Sequence, residues 1–324
     1  MRLLFVYGRG SRFVDIDRDA LATAGHEIVD LGGRPHPRSL VEAARADAVV
    51  CWFAGWHSVL PVTAAWLLRK PSVVITGGYD VAAVPDAGYG MQLRPVARRA
   101  SRWSLRRATR LMANSQSGAR EARAVAGPRA AIDVVHHGVP DLAGTVDLNA
   151  PRAGALTVGV VDGPNLARKG LEPFVRAAAL LPDVPFTLAG RVDDAAAAER
   201  LRAAAALNVR LAGFLSDDEL GQAYAGAAVY VQASRHEGFG MAVAEAMLAG
   251  CVPVVTDSGA LPEVVGDAGV VIAEASPEAV ADGVRRALAL GPDARRRARE
   301  RVLGRFTLEQ RAAGLLATLD AAVR

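Results

Sequence analysis

The chain is poor in cysteine, lysine and aromatic side chains, and each scarcity closes off a class of fold or function. Cys51 and Cys251 are its only cysteines, far apart and without CxxC spacing. They supply neither a disulfide framework nor a zinc–thiolate cluster, and a reducing compartment is expected. Charged residues are 22% of the 324 and aromatics 5%, against 51% hydrophobic ones. That balance excludes a disordered chain, and 32 glycines with 17 prolines exclude a coiled coil. His26, His36, His136, His137 and His236 show no HExxH or similar spacing, so no metal is expected. The run Asp15-Ile16-Asp17-Arg18-Asp19 has the look of a metal-binding DxD. Its place in the first turns of a helix, where carboxylates complement the macrodipole, accounts for it without an ion.

Long uncharged runs are also scarce. Ala48 to Leu68 carries no formal charge and is long enough to span a bilayer, but Gly55, His57, Ser58 and Pro61 interrupt it. A buried strand Ala48–Phe53, a turn and an apolar helix from about His57 to Leu68 fit it better. Only Leu3–Tyr7 follows Met1-Arg2 before glycines intervene, so no signal peptide is expected and the protein is read as cytoplasmic.

What the chain does have is an alternation of Val/Leu/Ile runs with Ala/Arg-rich stretches. Strands are expected at Leu3–Tyr7, Glu27–Leu31, Ala48–Phe53, Ser72–Thr76, Leu111–Ala113 and Ile132–Val135. A second series is expected at Leu156–Val161, Pro185–Ala189, Val209–Ala212, Val229–Gln232, Val252–Thr256 and Val270–Ile272. Strands apolar on both faces and separated by helices imply parallel sheets covered on both sides. The reading is α/β: two Rossmann-like doubly wound domains, 1–145 and 146–304, with a ligand cleft between them. The terminal helix, about 305–324, has no strand to accompany and is expected to pack back on the first domain.

Charge is unevenly placed. Residues 1–150 carry 19 basic and 13 acidic side chains, and residues 151–324 carry 19 and 21. All but two of the 38 basic residues are arginine, and one of the two lysines, Lys169, sits in the polar run Arg168-Lys169-Gly170. No acid occurs between Asp86 and Glu121, while Arg94, Arg98, Arg102, Arg106 and Arg110 recur every four residues. On a helix these form a slanted basic stripe, with Val96 and Trp103 on another side. With Trp52, Trp56 and Trp66 nearby in sequence, the stripe suggests peripheral docking on anionic lipid at the inner face of the membrane. A solvated basic helix is the other reading. No nucleic-acid-binding module accompanies the charge.

Gly8-Arg9-Gly10 follows the first strand, but Phe13 stands where a dinucleotide fingerprint needs its third glycine. Nicotinamide and flavin are therefore not expected, although Gly10 still permits close approach of an anion. The most informative stretch runs from Ser234 through Glu237-Gly238-Phe239-Gly240-Met241 to Glu245. It leads from a strand into a helix, so the backbone amides of Gly238–Met241 lie at a helix N-terminus, suited to an anion. Glu237 and Glu245 beside that loop need donors to accept from, and the hydroxyls of a ribose or hexose supply them. A nucleoside-diphosphate-sugar meets both demands.

These residues resemble the E-x7-E signature of family 4-type retaining glycosyltransferases of the GT-B fold. Gly77-Gly78-Tyr79-Asp80, Asn114-Ser115, His137-Gly138-Val139, Arg168-Lys169-Gly170, Leu188-Ala189-Gly190-Arg191 and Leu211-Ala212-Gly213-Phe214 follow the same pattern in order. The resemblance implies that Arg168 and Lys169 neutralise the donor diphosphate, that Glu237 holds the sugar and Glu245 the ribose, and that Arg191 and Phe214 flank the base. No metal or other cofactor is implied. Two departures bear on the acceptor side. Gly77 and Gly78 stand where many relatives carry a histidine, leaving His57 and Asp80 as candidates. Val160 and Val161 stand where an arginine is usual. The implied reaction moves a hexosyl-type sugar to a glycan, lipid or small-molecule acceptor. A non-catalytic sugar-nucleotide-binding subunit and a nucleotide-sugar epimerase are the alternatives.

Overall fold

Strands that are apolar on both faces need cover on both, and here helices between successive strands provide it. The computed structural model describes residues 1–33 and 35–324, which divide into two units. The first unit comprises Met1–Gly138 and Phe306–Arg324. In it β1 (Arg2–Tyr7), β2 (Glu27–Gly32), β3 (Ala48–Trp52), β4 (Ser72–Thr76), β5 (Arg110–Ala113) and β6 (Ile132–Val134) form one sheet, in the order β2-β1-β3-β4-β5-β6. All its pairings are parallel, and β3 and β4 are buried along their whole length.

The second unit, Val139–Arg305, repeats the plan. Its strands are β7 (Ala153–Val158), β8 (Phe186–Ala189), β9 (Val209–Gly213), β10 (Ala227–Gln232), β11 (Val252–Thr256) and β12 (Val270–Ile272). They pair in parallel in the order β12-β11-β10-β7-β8-β9. The order reverses between β7 and β10, and such a switch point opens a crevice at the carboxyl ends of the two strands. In the first unit the reversal lies between β1 and β3.

The expected first strand of the second half, Leu156–Val161, is corrected to Ala153–Val158. The apolar run continues past the sheet, but Val161 keeps only an isolated bridge to Val192. The expected uncharged helix runs Trp56–Leu67. Among the described residues no helix is long and apolar enough to cross a membrane.

The helix Leu308–Val323 packs in the first unit, against the helix Arg12–Thr23 and against β4 and β5. Its anchor is Arg311, which is 1% exposed. The guanidinium donates to both Asp17 oxygens at 2.8 and 2.6 Å, to Asn114 Oδ1 at 3.1 Å and to the Val135 carbonyl at 2.6 Å. Asp17 also accepts from Trp52 Nε1 at 2.9 Å. The helix-dipole account of the acidic run therefore fits Asp15 but not Asp17, which lies on the buried face with Val14 and Leu21. Trp52, grouped by sequence with the docking aromatics, is likewise fully buried.

Candidate active site

Two loops at the switch point of the second unit carry the implied donor residues. One follows β7. Asp162 caps the short helix Gly163–Arg168 by accepting from Asn165 N at 2.7 Å, and Asn165 in turn accepts from Arg168 Nε and Nη2 at 3.0 and 2.7 Å. The guanidinium is thus held in one orientation. Gly170 ends the turn at φ +68°, with its Cα so close to β10 that a Cβ would stand 2.1 Å from the Ala233 carbonyl. Arg235 N donates to the Arg168 carbonyl at 2.8 Å, which fastens this loop to the one after β10.

The second loop, Ala233–Gly240, leads into the helix Met241–Leu248. Gly240 caps that helix at φ +104°, leaving the first-turn amides without intrahelical partners. Glu237 Oε1 meets Lys169 Nζ at 2.8 Å and accepts from Ser234 Oγ at 3.0 Å and Gln232 Nε2 at 3.4 Å. Gln232 is itself held by Tyr230, whose hydroxyl donates to it at 2.9 Å. Burial pushes the Glu237 carboxyl up, but Lys169 and Arg168 beside it, with the bonds from Lys169 and Ser234, hold it net below the ordinary carboxylate value. Glu245, in the second turn of the helix, accepts from the buried Tyr224 hydroxyl at 3.1 Å. Burial and the Glu245 charge keep that phenol well above its usual pKa. The supporting residues Tyr224, Tyr230 and Gln232 carried no motif signal, since each acts through a neighbour, whereas Ser234 opened the informative stretch.

Arg191 and Phe214 follow adjacent strands, joined where Gly190 N donates to the Gly213 carbonyl at 2.7 Å. Arg191 grips Asp193 at 2.5 and 2.7 Å, and Phe214 is 73% exposed. The structure thus brings Arg168, Lys169, Glu237 and the Gly238–Met241 loop together, with Glu245 on the helix that follows. Arg191 and Phe214 form a neighbouring pair.

Gly10, His57 and Asp80 belong to the first unit. Gly10 lies just before Ser11, the cap of the helix Arg12–Thr23. His57, in the first turn of Trp56–Leu67, has Nε2 2.8 Å from the Trp52 carbonyl, and burial lowers its pKa despite bonds to Trp52 and Phe53. Its ring fills the space above Gly8, where a Cβ would come within 3.0 Å. A parallel substitution accounts for Gly77. The Phe53 ring occupies the volume a side chain there would need, 1.8 Å from an added Cβ.

Asp80, expected on the acceptor side, is fully buried and accepts from the amides of Ala54, Gly77 and Gly78 at 2.9, 3.0 and 3.1 Å. It ties two loops together, out of reach of solvent. Burial raises its pKa to about 6 against these bonds. Among the described residues no group of three or more His, Cys, Asp or Glu side chains could hold a metal.

Both halves of the chain resemble known proteins. The family described as "Glycosyl transferases group 1" matches residues 163–302, and the "Glycosyl transferase 4-like domain" matches residues 14–138. Over 121 residues, 37% of the chain, it is 35% identical to the GDP-mannose-dependent alpha-(1-6)-phosphatidylinositol dimannoside mannosyltransferase of Mycobacterium tuberculosis. Over 63 residues, 19% of the chain, it is 44% identical to the O-antigen chain mannosyltransferase B of Escherichia coli. These segments are 32% and 16% of those two proteins. Among solved structures, Anabaena HepE in complex with UDP and glucose superposes at TM-score 0.79 and 17% identity, over 99% of this chain and 100% of that one. Sucrose-phosphate synthase from Thermosynechococcus elongatus superposes at 0.77 and 18%, with the same coverage.

Proposed function

Because the chain belongs to the glycosyltransferases of the group 1 and 4-like type, with the two Rossmann-like domains of the GT-B fold, we propose that it transfers a hexosyl-type sugar from a nucleoside-diphosphate-sugar to a glycan, lipid or small-molecule acceptor. The observation that carries this reading is the Lys169–Glu237 pair at 2.8 Å, held beside the amide-lined start of the helix Met241–Leu248. In the transfer, the bond between the anomeric carbon and the diphosphate oxygen breaks, an acceptor hydroxyl oxygen bonds that carbon and loses its proton to the leaving diphosphate or solvent, and the leaving nucleoside diphosphate gains charge. Fixed cations and oriented amides stabilise that charge most at the transition state. Lys169, Arg168 and the amides of Gly238–Met241 perform this work. Glu237, ionised and anchored by Ser234, accepts from sugar hydroxyls while keeping Lys169 in place. Glu245 takes the ribose, and Arg191 with Phe214 the base.

The same charges make a divalent metal unnecessary, and the sugar is transferred with retention. UDP in one structural neighbour and GDP-mannose in the name of one relative support a nucleotide-linked donor. We also place the protein at the surface of an anionic membrane. The helix Pro95–Arg107 exposes Arg98, Arg99 and Arg106 beside Val96 and Trp103. Arg110, expected in the same stripe, instead starts β5 and is paired with Asp133 at 2.8 Å.

The test is turnover of UDP-, GDP- and ADP-sugars in the presence of a chelator, with a lipid and glycan extract as acceptor. Transfer or hydrolysis of one donor class, with the anomer retained, is expected. Binding without turnover would replace this reading with a non-catalytic subunit, and free isomerised sugar would replace it with an epimerase.

A further inference from the structure

The loops that carry His57 and Asp80 lie at the carboxyl ends of the first unit's strands. At the opposite, amino-terminal edge of the same sheet is a cavity of about 690 Å³, lined among others by Trp66, Arg69, Lys70, Arg107, Thr109 and Arg324. Among the described residues no acidic side chain lines it. Four cationic side chains around one space, with no acidic side chain among them, repel one another, and an anion entering the space relieves that repulsion.

Two of these cations are held in place. The Arg107 guanidinium lies 3.3 Å from the centre of the Trp103 ring and 4.9 Å from that of Trp66, so two indoles fix its plane. Its Nε is buried, so an anion in the cavity meets the other nitrogens of the guanidinium. Lys70 donates to the Ala44 and Ala46 carbonyls at 2.5 and 2.6 Å, which pins its ammonium to the wall. Arg69 holds φ +54°, a backbone conformation unfavourable for a side chain of its size.

The surroundings are apolar. Trp66, Leu67, Leu68 and Trp103 are 49%, 67%, 51% and 38% exposed. A free soluble anion has no use for that shelf, and an apolar peptide has no use for the cations. A phospholipid surface satisfies both at once, with phosphate among the guanidinium groups and glycerol and acyl carbons against the indoles and leucines.

We propose that this cavity docks the phosphate-bearing headgroup of an anionic membrane lipid, while Trp66, Leu67, Leu68 and Trp103 enter the interfacial layer. The site rests on, and gives an address to, the membrane contact proposed above, and does not depend on which sugar is transferred.

The test is co-sedimentation of the whole chain with vesicles of phosphatidylglycerol and phosphatidylcholine, against phosphatidylcholine alone, at low and high salt. The double variant Arg69→Gln/Arg107→Gln is expected to lose affinity for anionic vesicles at least about tenfold. Arg98→Gln/Arg99→Gln, which removes two exposed charges outside the cavity, is expected to lose clearly less. Leu67→Ser/Leu68→Ser, at two exposed positions, checks the apolar shelf independently and is expected to weaken binding even at high salt. Equal binding of both vesicle types, or an equal or larger loss from the Arg98/Arg99 pair, would overturn the proposal. So would release of the bound protein by millimolar inorganic phosphate, which would make the cavity a free-phosphate site. Donor turnover of the unsubstituted protein, assayed without vesicles, separately decides the transfer reading.

Discussion

In the first unit two buried carboxylates are closed off: Asp17 is wrapped by Arg311 and Trp52, and Asp80 by three backbone amides. In the second, Glu237 and Lys169 keep 12% and 21% of their side chains exposed although they pair at 2.8 Å. The two units share one parallel architecture, so the difference is in use. Charge enclosed on every side fixes a helix or a loop. Charge that is anchored on one side and open on the other is available to a ligand. Sheet order agrees, since the open pair lies on the loops after β7 and β10, where the strand order reverses.

The comparison can be broken most forcefully at Arg311. Arg311→Met leaves Asp17 buried without its cation, so a loss of about 3–5 kcal/mol is expected by urea denaturation. Adding Asp17→Asn should restore part of it. A change near zero would mean that the pair does not hold the terminal helix.

Next in size is Lys169→Ala, expected to lower turnover at least ~100-fold while the unfolding midpoint stays close to that of the parent. An unchanged rate, or a collapse in stability instead, would put Lys169 on the enclosed side of the comparison. Gly170→Ala sharpens the contrast at smaller cost. A side chain at φ +68° costs about 1–2 kcal/mol. The further clash with the Ala233 carbonyl pushes the two site loops apart, so donor KM should rise as well. Calorimetry with steady-state kinetics reads both.

A last effect, read by titration, concerns Asp80. With its carboxyl raised to about 6, the folded state binds more protons than the unfolded one between roughly pH 4 and pH 6. Its contribution to stability is therefore full at the acid end of that window and declines as pH rises through it. Carbon-detected NMR of the Asp80 carboxyl should give a midpoint near 6; a midpoint below 4 would show that the three amides outweigh burial.

Much of this was legible in the sequence. Strands buried on both faces are continuous apolar runs, so β4 and β11 could be placed to the residue. The β7 boundary was not legible, because Gly159–Val161 remains apolar after the sheet hydrogen bonds stop. The E-x7-E stretch pointed to the loop proposed to take the donor, since amides at a helix start attract an anion while two carboxylates beside them repel one, and a phosphate carrying hydroxyl-bearing rings reconciles the two. What binds Arg311 to Asp17 lies 294 positions away in the chain and leaves no local pattern. One sign was present: an aspartate spaced with Val14 and Leu21 on a helix's apolar face needs a buried cation somewhere. Gly77 was likewise visible only as a missing histidine, because its cause, the Phe53 ring, stands on another strand's end.

In the proposed function a diphosphate is held between Lys169 and the amides of Gly238–Met241. The most direct test is a crystal structure with UDP or GDP bound. Pyrophosphate oxygens are expected within hydrogen-bond distance of Lys169 Nζ and of those amides, with the ribose at Glu245. A diphosphate bound away from both loops would contradict it.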